Sequence, residues 1–199
     1  MSALRPDLAL IAGWIAPGSR VLDLGCGDGA LLDHLRRDKG CQGYGVEIDD
    51  AAVLACVRRG VDVIQRDIEA GLDMFAAAQF DLVVSSMAIQ ATHRTADVLR
   101  DMSRVARECV VSFPNFGHWR HAWSLLRGRM PMSSEMPYQW YDTPNLHLAT
   151  PRDFEDLLGS LGLVVRSRAF LADGQPVSGL AGWRATQAIY RFSCAPEAA

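Results

Sequence analysis

Residues 21–29 read VLDLGCGDG: an apolar run closed by Asp23, then glycines at alternate positions, Gly25, Gly27 and Gly29. Such a run suits a strand buried on both faces. Glycine allows the sharp turn that must follow, and it removes side chains that would hold a ligand away from the backbone amides. The pattern predicts the first strand of an α/β sheet and a ligand-binding turn at its carboxyl end. The same alternation continues outward. RVLDLG (20–25), ALLDHLRR (30–37), GYGVEID (43–49) and AAVLACVRR (51–59) read as strand, helix, strand, helix. VDVIQRD (61–67), FDLVVSSM (80–87), a helix over about 95–107 and ECVVSFP (108–114) extend the series. Strands apolar along their whole length belong to a parallel sheet covered by helices on both faces. After position 150 the order changes. TPRDFEDLLGSLG (150–162) opens on a Thr cap with Asp three residues on, and LVVRSRAFL (163–171) and ATQAIYRFS (185–193) follow as two strands with no helix between them. They predict an antiparallel pair finishing a doubly wound, mostly parallel sheet.

The 199 residues, 49% hydrophobic, suffice for one substantial core, so a single domain over 1–199 is expected. A formal net charge of −3 argues against a nucleic-acid binder, which usually shows a basic balance or stripe. The five cysteines, Cys26, Cys41, Cys56, Cys109 and Cys194, are odd in number, dispersed and without C-x-x-C spacing. They read as reduced thiols of a cytoplasmic protein, with no metal site. The apolar run LALIAGWIA (8–16) is too short to span a bilayer and is preceded by Asp7. Leu4, Leu8, Ile11 and Ile15 fall at helical spacing, so it reads as an N-terminal helix lying on the domain, and no membrane association is expected.

The glycines alone leave the ligand open, because the loop also reads as G-x-G-x-x-A through Ala30, a dinucleotide pattern. Asp23 shifts the balance. A carboxylate beside the glycines repels a pyrophosphate and favours an ammonium group. S-adenosylmethionine carries an ammonium and a sulfonium and no phosphate. Glu47, 22 residues beyond Gly25 at the end of the second strand, suits two ribose hydroxyls, and Ile48 offers an apolar face to adenine. Asp67 with Ile68 repeats that arrangement after the third strand, for the adenine amino group and ring. The alternative for these positions is structural: Asp67 capping a turn, Ile48 and Ile68 in the core. Taken in order, Asp23, the glycines, Glu47, Asp67 and FDLVV resemble class I S-adenosylmethionine-dependent methyltransferases. That resemblance implies a Rossmann-like, seven-stranded sheet with an antiparallel terminal strand. The expected contacts to S-adenosylmethionine or S-adenosylhomocysteine are Asp23, Gly25, Gly27, Glu47, Ile48, Asp67, Ile68 and Ser86.

A binding site is not yet a reaction. Methyl transfer from a sulfonium is an in-line displacement, in which the protein orients a nucleophile and removes its proton where needed. The segment after the fourth strand, SSMAIQATHR (85–94), holds no carboxylate; Gln90 cannot act as a base, and His93 reads more readily as a solvated or capping residue. Catalytic residues are not assigned. The stretch 114–151 holds five of the nine prolines, and 113–141 holds seven of the sixteen aromatics, with His118, His121, Arg120, Arg127 and Arg129 among them. This aromatic-rich cap insertion, about 115–150, is a lid, a substrate site or a partner surface. With Trp119 and Trp123 packed on the sheet one helical turn apart, Arg120 and Arg127 would point outward.

SFPNFGHWR (112–120), LLRGRMP (125–131), WYDTPNLHL (140–148) and GYGVEIDD (43–50) resemble the MetW family of methionine biosynthesis proteins, over about 21–163. The resemblance implies a methyltransferase-like fold and a partner, homoserine O-acyltransferase, which this chain would support or activate as a regulatory subunit rather than as an independent methyltransferase. The chain departs from the family's usual polar residues at Met87 and Ala88. The competing reading is a methyltransferase acting on an unidentified small molecule, with His118, Tyr141 or His147 helping to deprotonate it.

Overall fold

The computed structural model describes residues 4–133 and 135–194. Eight strands form one sheet: β1 (Arg20–Leu24), β2 (Gln42–Glu47), β3 (Val63–Gln65), β4 (Phe80–Ser86), β5 (Ala106–Pro114), β6 (Leu163–Ala172), β7 (Gln175–Pro176) and β8 (Gln187–Cys194). Their order is β3-β2-β1-β4-β5-β8-β6-β7. The first five run parallel, and β8 inserts antiparallel between β5 and β6. The sequence predicts seven strands; the eighth is the two-residue β7, which folds back on the end of β6. A strand so short carries no periodicity to read. The predicted antiparallel pair is β6 and β8, although a short helix, α7 (Ala181–Arg184), lies between them.

Side chains alternate across each strand, and both faces are covered. Val21, Leu82, Val84 and Val110 point into one core with Ile11, Leu31, Leu35 and Cys56, beneath α1 (Pro6–Trp14), α2 (Ala30–Lys39) and α3 (Asp50–Arg59). Leu22, Val83, Val111 and Phe113 point the other way, into a core with Leu99, Met102, Phe154 and Leu158 beneath α4 (Thr95–Val105) and α6 (Pro151–Ser160). Burial on both faces is why the strands read as unbroken apolar runs.

Helix ends follow local chemistry. Asp49 caps α3 by accepting from the Ala52 amide at 2.8 Å, and Thr150 with Asp153 forms the capping box expected for α6. The N-terminal helix is docked by Lys39, whose Nζ donates to the carbonyls of Ala12 and Ile15 at 2.5 and 2.6 Å. No helix among the described residues is long and apolar enough to cross a membrane. All five cysteines are free, four of them buried.

Candidate cofactor site

The sheet reverses direction of winding between β1 and β4, so the turn after β1 lies at the topological switch point, where α/β sheets bind ligands. Gly25 and Cys26 tie this turn to β2 by donating to the Val46 carbonyl at 2.8 and 3.2 Å. Two of the glycines are required for different reasons. Gly25 has φ +70°, and a Cβ there would lie 2.7 Å from the Ala88 Cβ, so the segment after β4 closes directly on it. Gly27 has φ +55°, but a Cβ there meets nothing within 4 Å; its bare side is open.

That open side faces a groove of about 870 Å³ lined by Asp23, Gly25, Gly27, Ser86, Leu4 and Arg5, among others. Asp23 is 3% exposed, and burial and the charges of Arg5 and Glu47, with no hydrogen bond from a described residue, act on its carboxyl group. Burial, together with the negative charge of Glu47, pushes its pKa up to about 7 against the opposing pull of Arg5. A buried carboxylate without a partner is costly, and a cation delivered into the groove would relieve it.

Glu47 does a structural job as well. Its Oε2 accepts from the Gly27 amide at 2.8 Å, and its Oε1 from the Ile48 and Asp49 amides at 2.8 and 3.0 Å. It thereby holds the glycine turn and the turn after β2 together, and Oε2 retains one acceptor site beyond those three bonds. Ile48 is 63% exposed, an uncovered apolar face at the carboxyl end of β2. Ile68 packs against the core, and Asp67 caps the 3₁₀ turn Ile68–Ala70 by accepting from the Glu69 amide at 2.8 Å. The capping alternative for Asp67 is thus realised; its second oxygen is not engaged in that bond.

Ser86 lines the groove, but its hydroxyl is committed elsewhere. It donates to Asp7 Oδ2 at 2.8 Å, accepts from Arg5 Nη2 at 3.1 Å and lies 3.0 Å from Ser112 Oγ. Arg5 grips Asp7 with two nitrogens, Nε to Oδ1 at 3.2 Å and Nη2 to Oδ2 at 2.9 Å. Burial raises the pKa of Asp7, but the bonds and charge of Arg5, with Ser86 and Gln187, outweigh it and hold the carboxyl below its usual range. Arg5 is therefore a fixed guanidinium on the groove wall, and its charge acts on Asp23. Sequence reading missed it, because it sits before the first helix and meets Ser86 across 81 positions of chain. Its one local signal was Asp7 two residues on.

The segment after β4 is strained: Met87 has φ +56°, a left-handed conformation costing a non-glycine residue roughly 1–2 kcal/mol. Beyond it lies a second, apolar cavity of about 420 Å³ lined by Ile89, Gln90, His93, Phe113, His147 and Phe154, among others. The 145–149 strap is sewn to this segment by the Leu146 and His147 amides donating to the Gln90 carbonyl at 2.9 and 3.0 Å. His93 is exposed at the entrance of α4. His118 and His121 are buried, and burial lowers the pKa of both; Tyr141 and His147 are exposed. None of these four lines the Asp23 groove. No cluster of three or more metal-ligating side chains occurs among the described residues.

The cap overturns one expectation. In α5 (Trp119–Leu126) the only buried residue is His121, whose Nδ1 lies 3.2 Å from the Phe116 carbonyl. Trp119 and Trp123 are 43% and 51% exposed, so they do not pack on the sheet. The histidines His118 and His121 meet edge to face, centroids 5.6 Å apart, and occupy the inner face in their place.

The strand order with an antiparallel β8, and a glycine turn backed by a buried carboxylate, define the fold of class I S-adenosylmethionine-dependent methyltransferases. A methyltransferase of that kind from Archaeoglobus fulgidus superposes with a TM-score of 0.70 at 17% identity, covering 94% of this chain and 91% of that one. The [4+2]-cyclase SpnF does so with 0.68 at 19%, covering 94% and 80%, so the fold also houses another chemistry. The model of the family described as methionine biosynthesis protein MetW matches residues 5–192, and the chain belongs to that family. The bifunctional methionine biosynthesis protein MetXA/MetW of Rhodopirellula baltica is 37% identical over 177 residues, which are 84% of this chain. The match spans 28% of that relative's length.

Proposed function

We propose that this chain binds S-adenosylmethionine or S-adenosylhomocysteine in the Asp23 groove and supports or activates homoserine O-acyltransferase in the cytoplasm, as a regulatory subunit rather than an independent methyltransferase. The observation that carries the partner is the fused relative, in which a MetXA part and a MetW part share one polypeptide. We take the MetXA part to be the acyltransferase; two proteins that work in contact tolerate such tethering, because it raises their effective concentration.

The groove supplies the Asp23 and glycine part of the fit to the nucleoside, while Glu47, Ile48, Asp67 and Ile68 stand outside its lining, at the carboxyl ends of β2 and β3. Asp23, buried and without a hydrogen bond from a described residue, would take the ammonium group, and the open, side-chain-free face of Gly27 would lie along the amino-acid chain. Glu47 would use its remaining acceptor capacity on ribose, and Ile48, with Asp67 and Ile68 beyond it, would meet adenine. S-adenosylmethionine supplies an electrophilic methyl group when bound. The groove's other acidic and imidazole groups are already paired, Asp28 with Arg59, Asp33 with Arg36 and Arg37, and His34 with Asp38, and the segment after β4 has no carboxylate. The test is copurification with the acyltransferase, paired with calorimetric titration by S-adenosylhomocysteine. Saturable binding of both is expected. A small acceptor methylated at about 1 s⁻¹, within the usual enzyme range, would overturn the regulatory reading.

A further inference from the structure

An amphipathic helix normally turns its apolar stripe to the core. In α5 the stripe is reversed. Trp119, Trp123 and Leu126 fall at i, i+4 and i+7 on one face, and that face is open to solvent, Leu126 at 79% exposure, while His121 is the residue buried on the other side. Histidine is a poor choice for an inner face and tryptophan a poor choice for an outer one, so the face is shaped for something that covers it.

Its charge says what kind of surface. Between positions 109 and 134 the sequence contains Arg120, Arg127 and Arg129 and no Asp or Glu, a local charge of +3 in a chain of net −3, which leaves −6 on the remainder. Two of these arginines are already stacked on the exposed rings: Arg120 lies 5.5 Å from the Trp119 centroid and Arg127 4.7 Å from that of Trp123. A guanidinium over an indole keeps both groups ordered before any contact is made, which lowers the entropy lost on docking. Tryptophan and arginine at the centre of a patch are the residue types on which interface energy concentrates.

We propose that the Trp119–Trp123–Leu126 stripe of α5, rimmed by Arg120, Arg127 and Arg129, is the surface that docks homoserine O-acyltransferase, against an apolar patch on that enzyme flanked by carboxylates. This rests on the partner reading above and adds the location. The groove around Asp23 is a separate site, since none of the six residues lines it.

Arg120→Glu/Arg127→Glu and, separately, Trp123→Ala test the assignment in the full-length chain. Association with the purified acyltransferase is measured by biolayer interferometry at two salt concentrations, with thermal melting of each variant as the folding control. The surface is supported if both variants melt like the wild type and bind the acyltransferase at least about tenfold more weakly, with the wild-type affinity falling as salt rises. Wild-type binding that both variants retain in full overturns the location and leaves the partner reading standing. No binding by the wild type overturns both. Self-association of the wild type that Trp123→Ala abolishes, with acyltransferase binding unchanged, assigns the face to a second copy of the chain and overturns the proposal. Should Trp123→Ala unfold, the double arginine variant decides alone, because both side chains are solvent-facing.

Discussion

A carboxyl group whose pKa stands near 7 in the free protein is half charged at neutral pH, and Asp23 is such a group. An ammonium bound beside it favours the carboxylate and lowers that pKa, so binding must release a proton wherever Asp23 was protonated beforehand. The affinity for S-adenosylhomocysteine then scales with the charged fraction of the free protein. Between pH 7.5 and pH 5.5 that fraction falls by roughly 25-fold for a pKa of about 7, which is nearly 2 kcal/mol of binding free energy. Calorimetry at both pH values, in two buffers of different ionisation enthalpy, reads the affinity and the proton count together. Asp23→Asn should flatten the dependence and weaken binding at pH 7.5 by about tenfold or more, the value of a hydrogen bond to a charged group. The same substitution should stabilise the free protein. A folded pKa raised from 3.8 to about 7 means that stability is lost as pH rises between those values, on the order of 4 kcal/mol once Asp23 is fully charged. Asp23→Asn escapes that loss, so its melting temperature should exceed the wild type's at pH 8. An affinity independent of pH in the wild type, or a variant that binds as tightly, would refute the role given to Asp23.

The two glycines should separate fold from binding. Gly25→Ala drives a Cβ to 2.7 Å from Ala88 and should lower the melting temperature, whereas Gly27→Ala, which meets no protein atom within 4 Å, should cost the fold only the roughly 1–2 kcal/mol of its left-handed backbone while abolishing nucleoside binding in calorimetry. Arg5→Met removes a guanidinium from the groove wall and should weaken S-adenosylhomocysteine, which carries a carboxylate, by about tenfold. It should leave methylthioadenosine, which has no carboxylate, unaffected; equal losses for the two ligands would make Arg5 merely structural. Burial holds His118 and His121 below the ordinary histidine pKa, assisted at His118 by the charges of His121 and Arg120 and opposed by Asp173. Their unfolded forms therefore bind protons first, and stability should fall as pH drops below about 6.5. His121→Phe should reduce that acid sensitivity in a series of melting curves, and an unchanged pH profile would contradict it.

Much of this architecture was legible because it is written locally. The glycines of the first turn, the Thr150 capping box and the two-sided apolar strands each depend on residues within a few positions of one another, and each formed as the sequence implies. The features that escaped depend on contacts distant in sequence. Arg5 becomes part of the groove only through Asp7 and Ser86, and the two-residue β7 exists only because β6 offers it an edge. The orientation of α5 misleads for another reason. Hydrophobicity says which face of a helix ought to be buried, and Trp119 with Trp123 marks that face plainly; only the packing of His121 against Phe116 and His118 shows that the opposite face was used. Glu47 and Asp67 lie where expected, yet each also fastens a turn, so substitution there tests the fold and the ligand together.

The most direct measurement is the initial rate of acyl transfer to homoserine by the purified acyltransferase, alone and with this chain added at increasing concentration. A saturable rise in rate is expected, lost with Arg120→Glu/Arg127→Glu. A rate that stays flat at every concentration, with both proteins folded, contradicts the proposal that this chain supports the enzyme.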